Sequence, residues 1–209
     1  MKHSGDWRPQ GTDSIRTNVS SRSSWAQTSH QERWDQRNPA SSSITMVVNM
    51  PGSVIANGMH VGIISDTHGL MRPEAIAALR GSDLIVHAGD IGRLEVLEQL
   101  RDLAPTHAVR GNIDIQPWAR KLPDTAVVRA GRQRLFVLHD ISQLDIDPLC
   151  AGYGAVVFGH SHRPSAESRG GVLFINPGSA GPRRFALPVT LARIQVAGKT
   201  MRPTIITLA

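Results

Sequence analysis

Apolar residues come in short runs between polar turns from Met59 onward, and show no sustained period before it. The first run, Val61-Gly62-Ile63-Ile64, does not alternate. That is the pattern of a strand buried on both faces. A strand is therefore expected over 60–65. A helix is expected over 73–80, where Pro73 opens the run Glu-Ala-Ile-Ala-Ala-Leu and proline suits a first helical turn. The stretch 83–87 reads as a second short strand. The stretch 94–103 reads as a second helix, apolar at Leu94, Val96, Leu97, Leu100 and Leu103. A third strand follows over 106–110. This strand, helix, strand, helix, strand order argues for parallel βαβ units.

The second half is richer in strands. The stretches 125–129 and 134–138 flank Gly131 and read as a hairpin. Part of 141–150 is expected to be helical, and 155–158 is a short apolar strand. Two further hairpins are expected. One pairs 165–168 with 172–175 around Gly170-Gly171, and the other pairs 189–196 with 201–208 around Gly198. Asn176-Pro177-Gly178-Ser179 makes a turn. Parallel strands with helices first and hairpins later predict an α/β fold of two sheets packed face to face, with helices outside.

Residues 1–58 differ. They are crowded with Ser, Thr, Arg, Asn and Gln, with local repeats such as Ser41-Ser42-Ser43. Such a segment buries too little apolar surface to offset its ordering entropy, so a disordered extension is expected there. Trp7, Trp25 and Trp34 could dock on a surface. Met46, Met50 and Met59 are candidate starts, and Met59 opens directly on the first strand. The domain is expected over 59–209.

Composition narrows the picture modestly. The chain has 209 residues, 40% of them hydrophobic, enough for one ordinary core. A net charge of +6 and a sequence pI near 10.6 suit an anionic partner, but no long Lys/Arg run accompanies them. The lone Cys150 excludes an internal disulfide and fits a reducing compartment, so a cytoplasmic location is expected. Within Asp147-Pro148-Leu149-Cys150-Ala151 it reads as a small core residue. No run is apolar enough to cross a membrane, and no secretory signal is visible.

The chemistry-bearing residues recur at strand ends. Asp66 and His68 follow the first strand, Asp90 the second and Asn112 the third. His139 follows a later strand, and His160 with His162 follow the last of the set. Open α/β sheets place ligands at strand carboxyl ends, so the fold can bring these groups to one edge. Oxygen and imidazole donors without thiolate suit two divalent ions rather than a structural zinc. Glycines 89, 111 and 159 immediately precede three of them and allow close backbone approach.

The ordered set Asp-x-His, Gly-Asp, Gly-Asn-x-Asp, His-Asp and Gly-His-Ser-His resembles the calcineurin-like metallophosphoesterases, and their small single-domain phosphodiesterase branch in particular. Asn176-Pro177-Gly178-Ser179 is similar to that branch too. The resemblance spans 59–209. It implies a four-layer αββα sandwich of two mixed sheets flanked by helices, with a dinuclear site at one edge. It implies one metal on Asp66, His68, Asp90 and His162. It implies a second on Asp90, Asn112, His139 and His160, with Asp90 as the bridge. Mn²⁺ is the expected ion by resemblance, and these ligands also accept Fe, Zn, Ni or Co.

Two close cations, roughly 3.5–4 Å apart, lower the pKa of a bridging water and clamp a phosphoryl group for in-line attack. The expected activity is hydrolysis of a small phosphate ester, by resemblance a diester, with no catalytic side chain beyond the metal ligands. Larger family members carry His at the position of Ile113, where it is thought to assist the leaving group. Isoleucine donates no proton, so good leaving groups are expected to be favoured. His139-Asp140 also departs from the His-Gly-His often seen.

Other residues have plainer readings. His87 reads as packed or supporting the ligands, and Asp114 as a cap or an orienting group. His60 and His107 read as structural. Arg110, Arg163, Arg183 and Arg184 are candidates for phosphate contacts. A non-catalytic protein-binding scaffold, to which the retromer scaffold subunit gives a precedent of similar fold, remains open beside the enzyme. A scaffold is free to lose ligands, and here every position is filled. A nuclease is the third reading. Nucleic acid is not the expected partner, because neither a long basic groove nor an appended domain is visible.

Overall fold

The computed structural model describes residues 58–184 and 186–208. Apart from Gly58, the extension expected over 1–58, with its three tryptophans, lies outside the described residues.

The first half follows the expected βαβ order: β1 (Met59–Ile64), α1 (Pro73–Leu79), β2 (Leu84–His87), α2 (Leu94–Leu103) and β3 (Thr106–Ala108). Then come β4 (Thr125–Ala130), β5 (Gln133–Leu138), β6 (Ala155–Val157), β7 (Ser165–Arg169), β8 (Val172–Asn176), β9 (Thr190–Ala197) and β10 (Thr200–Thr207). They form two mixed five-stranded sheets, in the orders β10-β9-β1-β2-β3 and β4-β5-β6-β8-β7. In the first sheet, β1, β2 and β3 run parallel, while β9 is antiparallel to β1 and β10. In the second, β5, β6 and β8 run parallel between the antiparallel edge strands β4 and β7.

The non-alternating run in β1 has the expected cause. Val61 and Ile63 point into the space between the sheets, where they join Val137 and Val157 from the second sheet. Ile64 points the other way, into a layer with Leu79 of α1 and Leu97 and Leu100 of α2. Each such aliphatic side chain contributes about 1.5–3 kcal/mol on burial. Gly62 shares the helix-side face. A Cβ there would lie 2.6 Å from Leu79 Cδ2 and 2.9 Å from Ser82 Oγ. The glycine therefore lets α1 settle directly on the strand.

The outer face of the second sheet is covered differently. Phe136, Leu138, Tyr153 and Val156 pack beneath Ile141, Leu144 and Ile146. That covering segment was expected to be partly helical over 141–150 and holds one 3₁₀ turn, Ile141–Gln143. Asp147 accounts for the difference. Its Oδ1 accepts from the backbone N–H groups of Leu149 (2.9 Å) and Cys150 (3.1 Å), a local turn that competes with helix. The same turn corrects the reading of Cys150. It is exposed rather than a core residue. The two α-helices among the described residues thus both lie on the first sheet. No helix there is long and apolar enough to cross a membrane.

Candidate metal centre

Five strands of the two sheets end at one edge, and each delivers its expected side chains there. β1 leads to Asp66 and His68, β2 to Asp90, β3 to Asn112, β5 to His139, and β6 to His160 and His162. Ligand atoms of Asp66, His68 and His162 lie within 4.8 Å of one another, and so do those of Asp66, Asp90 and His139. Asn112 Oδ1 is 3.1 Å from His139 Nε2 and 3.1 Å from His160 Nδ1. The structure therefore brings all seven side chains together. Asp66 is common to both donor groups. Asp90 also spans them, with Oδ2 3.9 Å from His68 Nε2 and Oδ1 3.4 Å from His139 Nε2.

The backbone is strained where these residues sit. Asp66 (φ 54°), His68 (47°), Asp90 (55°), His160 (65°) and His162 (58°) are the non-glycine residues with positive φ among the described residues. Left-handed geometry costs an L-residue about 1–2 kcal/mol. Strain of this kind persists only where the surroundings over-determine it, and it collects at functional sites. Here the turns are held by close backbone fit. A Cβ on Gly159 would lie 2.7 Å from Asp66 Oδ2, and one on Gly89 would lie 2.7 Å from His139 Nδ1.

Hydrogen bonds fix the orientation of the donors. His139 Nδ1 donates to the carbonyl of Ala88 at 2.7 Å. In the neutral ring this leaves the lone pair of Nε2 facing Asn112 Oδ1 and Asp90 Oδ1, both lone-pair carriers. His68 Nε2 and His162 Nε2 face each other at 3.4 Å. Asp66 Oδ1 is buried and makes no hydrogen bond, although His162 Nε2 is 3.2 Å away, and buried His162 Nδ1 also lacks one. Imidazole nitrogens gathered around carboxylate and amide oxygens, with a buried carboxylate oxygen left over, are what a divalent cation would satisfy.

Charge follows the same geometry. Burial alone would raise the Asp90 carboxyl, but the His139 hydrogen bond, the Ile113 N–H (3.1 Å) and the nearby imidazoles hold it below the usual range. Burial alone would lower His139, yet a proton on Nε2, taken up without a cation, gains Asp90 as its partner, and with the Ala88 bond this raises the pKa. For His68 burial prevails and the pKa is lowered, with Arg184 contributing in the same direction. Burial would raise Asp140 too, but the Ser142 N–H and the charges of His160 and His139 keep it lowered.

A second layer supports the donors. Buried Asp114 accepts from the N–H groups of Ile91 (3.1 Å), Gly92 (2.8 Å) and Gly111 (2.9 Å), tying the Asp90 loop to the Asn112 loop. Its orienting role was legible. Asn176, read from sequence only as part of a turn, also orients the site: its Nδ2 donates to Gly159 O (2.8 Å) and Ser161 Oγ (3.0 Å) beside His160 and His162. His87 is buried and supports the site without joining the donors. Gly89 N–H donates to its Nδ1 (3.2 Å), so Nε2 carries the proton toward Thr67 Oγ1 (2.9 Å). Thr67 and Ser179 were not singled out from sequence. Ser179 Oγ donates to Asp66 O at 2.9 Å. Only the turn motif around Ser179 hinted at it.

The candidate phosphate arginines separate. Arg184 Nη2 lies 3.5 Å from His68 Nε2. Arg110 is taken up by Asp124, with Nε 2.9 Å from Oδ1. A cleft of about 440 Å³ opens on the side of Asn112, His139 and His160, with Arg110, Ile115, Arg120, Asp140 and Gln143 in its wall.

The sequence over residues 59–199 matches the calcineurin-like phosphoesterase superfamily domain. A probable metallophosphoesterase of Methanothermobacter thermautotrophicus is 31% identical over 160 residues, covering 71% of this chain and 92% of the relative. The structure of an archaeal phosphodiesterase superposes with a TM-score of 0.61 at 26% identity, covering 71% of this chain and all of that one. Vps29 of Chaetomium thermophilum superposes with a TM-score of 0.58 at 19% identity over 71% of this chain and 96% of that one, a likeness of fold. This chain belongs to the calcineurin-like phosphoesterase superfamily. Membership places it among metal-dependent hydrolases of phosphate esters, and the gathered donors agree with that chemistry.

Proposed function

We propose that this protein is a dinuclear metal-dependent phosphodiesterase acting on a small phosphate ester. The observation that carries the reading is the convergence of carboxylate and imidazole donors in which buried Asp66 Oδ1 makes no hydrogen bond. One ion would be held by Asp66, His68, Asp90 and His162, the other by Asp90, Asn112, His139 and His160, with Mn²⁺ expected. When bound, the ions supply charge stabilisation of the phosphoryl oxygens and a lowered pKa for the attacking water.

The chain does the rest by positioning. Ala88 O sets the His139 ring so that Nε2 faces inward. The Ile113 N–H orients Asp90 Oδ1, while its side chain has no proton to give a leaving group. Preference for esters with good leaving groups follows, because a general acid is typically worth about 100- to 10,000-fold. The complete donor set, with strain at five of its seven positions, favours the enzyme over a scaffold of the same fold.

The test is hydrolysis of an activated aryl phosphodiester and its monoester by metal-stripped protein, with and without Mn²⁺. Asp90→Asn and Asn112→Ala are run in parallel. Diester hydrolysis restored by metal, and lost in both variants, is the expected result. Full metal occupancy with neither ester hydrolysed would sink the reading in favour of the scaffold.

A further inference from the structure

Arg184 stands beside the donor cluster without being able to join it. A guanidinium stays protonated and offers no lone pair, so it ligates no cation. Its Nη2 is nevertheless 3.5 Å from His68 Nε2, one of the proposed ligand atoms. A guanidinium so close to bound cations is repelled unless an anion lies between them.

Its loop is built onto the site. Ala180 N–H donates to Ser65 O (3.1 Å) and Gly181 N–H to Asp66 O (3.2 Å). Arg72 donates to Gly181 O through both Nε and Nη2, each at 3.3 Å. A Cβ on Gly181 would strike the carbonyls of Asp66 and Thr67. The segment before Arg184 therefore lies flat on the turn that carries Asp66 and His68. Of the four candidate arginines, this is the one that the fold brings against a proposed ligand.

The opposite end of the cluster is different. There the 440 Å³ cleft opens beside Asn112, His139 and His160, and Arg184 is not in its wall. Its size is that of a small-molecule site. Its lining is mixed: Arg110, Arg120, Asp140 and Gln143 bring polar groups, and Ile115 is an exposed apolar contact.

We infer that Arg184 binds the terminal oxygens of the scissile phosphoryl group and that the cleft receives an ester group, so that the substrate lies across the site in one direction. The inference rests on the phosphoesterase reading. It adds an anion-binding residue that is not a metal ligand, and it names the substrate class as diesters whose second ester group is small enough for the cleft and presents both polar and apolar surface.

Calorimetric titration of the Mn²⁺-loaded full chain with inorganic phosphate tests it, with metal content measured on each sample. Arg184→Met is expected to weaken phosphate binding about tenfold or more, with metal content unchanged. Arg184→Lys is expected to recover part of the loss, and Arg183→Met to bind as the parent does. Ile115→Trp, which fills the cleft, is expected to raise KM for an aryl diester several-fold without a matching loss of phosphate affinity. Parent-like phosphate binding by Arg184→Met, in a protein that hydrolyses the diester, would overturn the role of Arg184 alone. Failure of the metal-loaded parent both to bind phosphate and to hydrolyse either ester would overturn the phosphoesterase reading and this inference with it.

Discussion

Gly111 is pressed so closely against Asp90 that a side chain at 111 would occupy the space of the Asp90 backbone nitrogen and Oδ1, and would come within 2.9 Å of its Cα. The contact is with backbone and with a carboxylate already fixed by Ile113, so nothing nearby can give way cheaply. Gly111→Ala should therefore displace Asp90 rather than merely crowd it. Overpacking of this kind costs about 1–3 kcal/mol. The expected outcome is a lower melting temperature together with weakened metal binding, measured by thermal unfolding and metal titration. An alanine variant that binds metal as the parent does would show that the contact is not critical.

Metal should also stabilise the fold. A ligand that binds only the native state contributes about 2.7 kcal/mol at a concentration one hundred times its dissociation constant. For a domain of this size, each kcal/mol shifts the melting temperature by about 2–4 °C. Mn²⁺ added to stripped protein is thus expected to raise it by about 5–10 °C. The shift should shrink in Asp66→Asn, because Asp66 belongs to both donor groups. An unchanged shift in that variant would contradict its place among the ligands.

Most of this site was legible because the signal is local. A short apolar strand followed by Asp, Asn or His announces both an element and its cargo, and the first-half elements fell within two residues of expectation at either end. The three hairpins were likewise marked by their glycines. The order of the sheets was not legible. β9 pairs with β1, and β6 lies between β5 and β8, through contacts between segments distant in sequence. The left-handed geometry of Asp66, His68, Asp90, His160 and His162 is also silent in the residues themselves, since none is a glycine. Arg184 could not be told from Arg110, Arg163 and Arg183 until the fold set it beside His68.

Asp114 offers a test of the supporting layer. Its carboxylate accepts three backbone N–H groups from two loops, and it is nearly inaccessible to water. A buried donor left unpaired costs roughly 1–3 kcal/mol, and of the three it is Ile91 N–H that is buried, the other two being half-buried. Asp114→Ala should lower the melting temperature of metal-free protein by about 5–10 °C. It should also weaken metal binding by about 10- to 100-fold, although Asp114 faces backbone rather than the donors. Asp114→Asn should fail to restore either property, because its amide would turn a donor toward an N–H. Restoration by asparagine would mean that packing, not the accepted hydrogen bonds, is what Asp114 provides.

His87 makes the fold sensitive to acid. It is fully buried, and burial lowers its pKa from 6.5 to about 4. The neutral ring is also what its contacts require. Nδ1 accepts from Gly89 N–H, and Nε2 donates to Thr67 Oγ1, which in turn donates to Ile91 O at 3.0 Å. Between these two pKa values the unfolded chain takes up a proton that the native state refuses. The sign is therefore destabilising on acidification: the contribution of His87 is complete above about pH 6.5 and is lost as the pH falls toward 4. The full loss amounts to about 3 kcal/mol. Urea unfolding of metal-free parent and His87→Asn, which cannot titrate, should be compared from pH 7.5 to 4.5. The parent should be the more stable at pH 7.5, and its advantage should narrow by about 2–3 kcal/mol at the acid end. Other titrating groups cancel in the comparison, so parallel curves would mean that His87 is protonated within the fold.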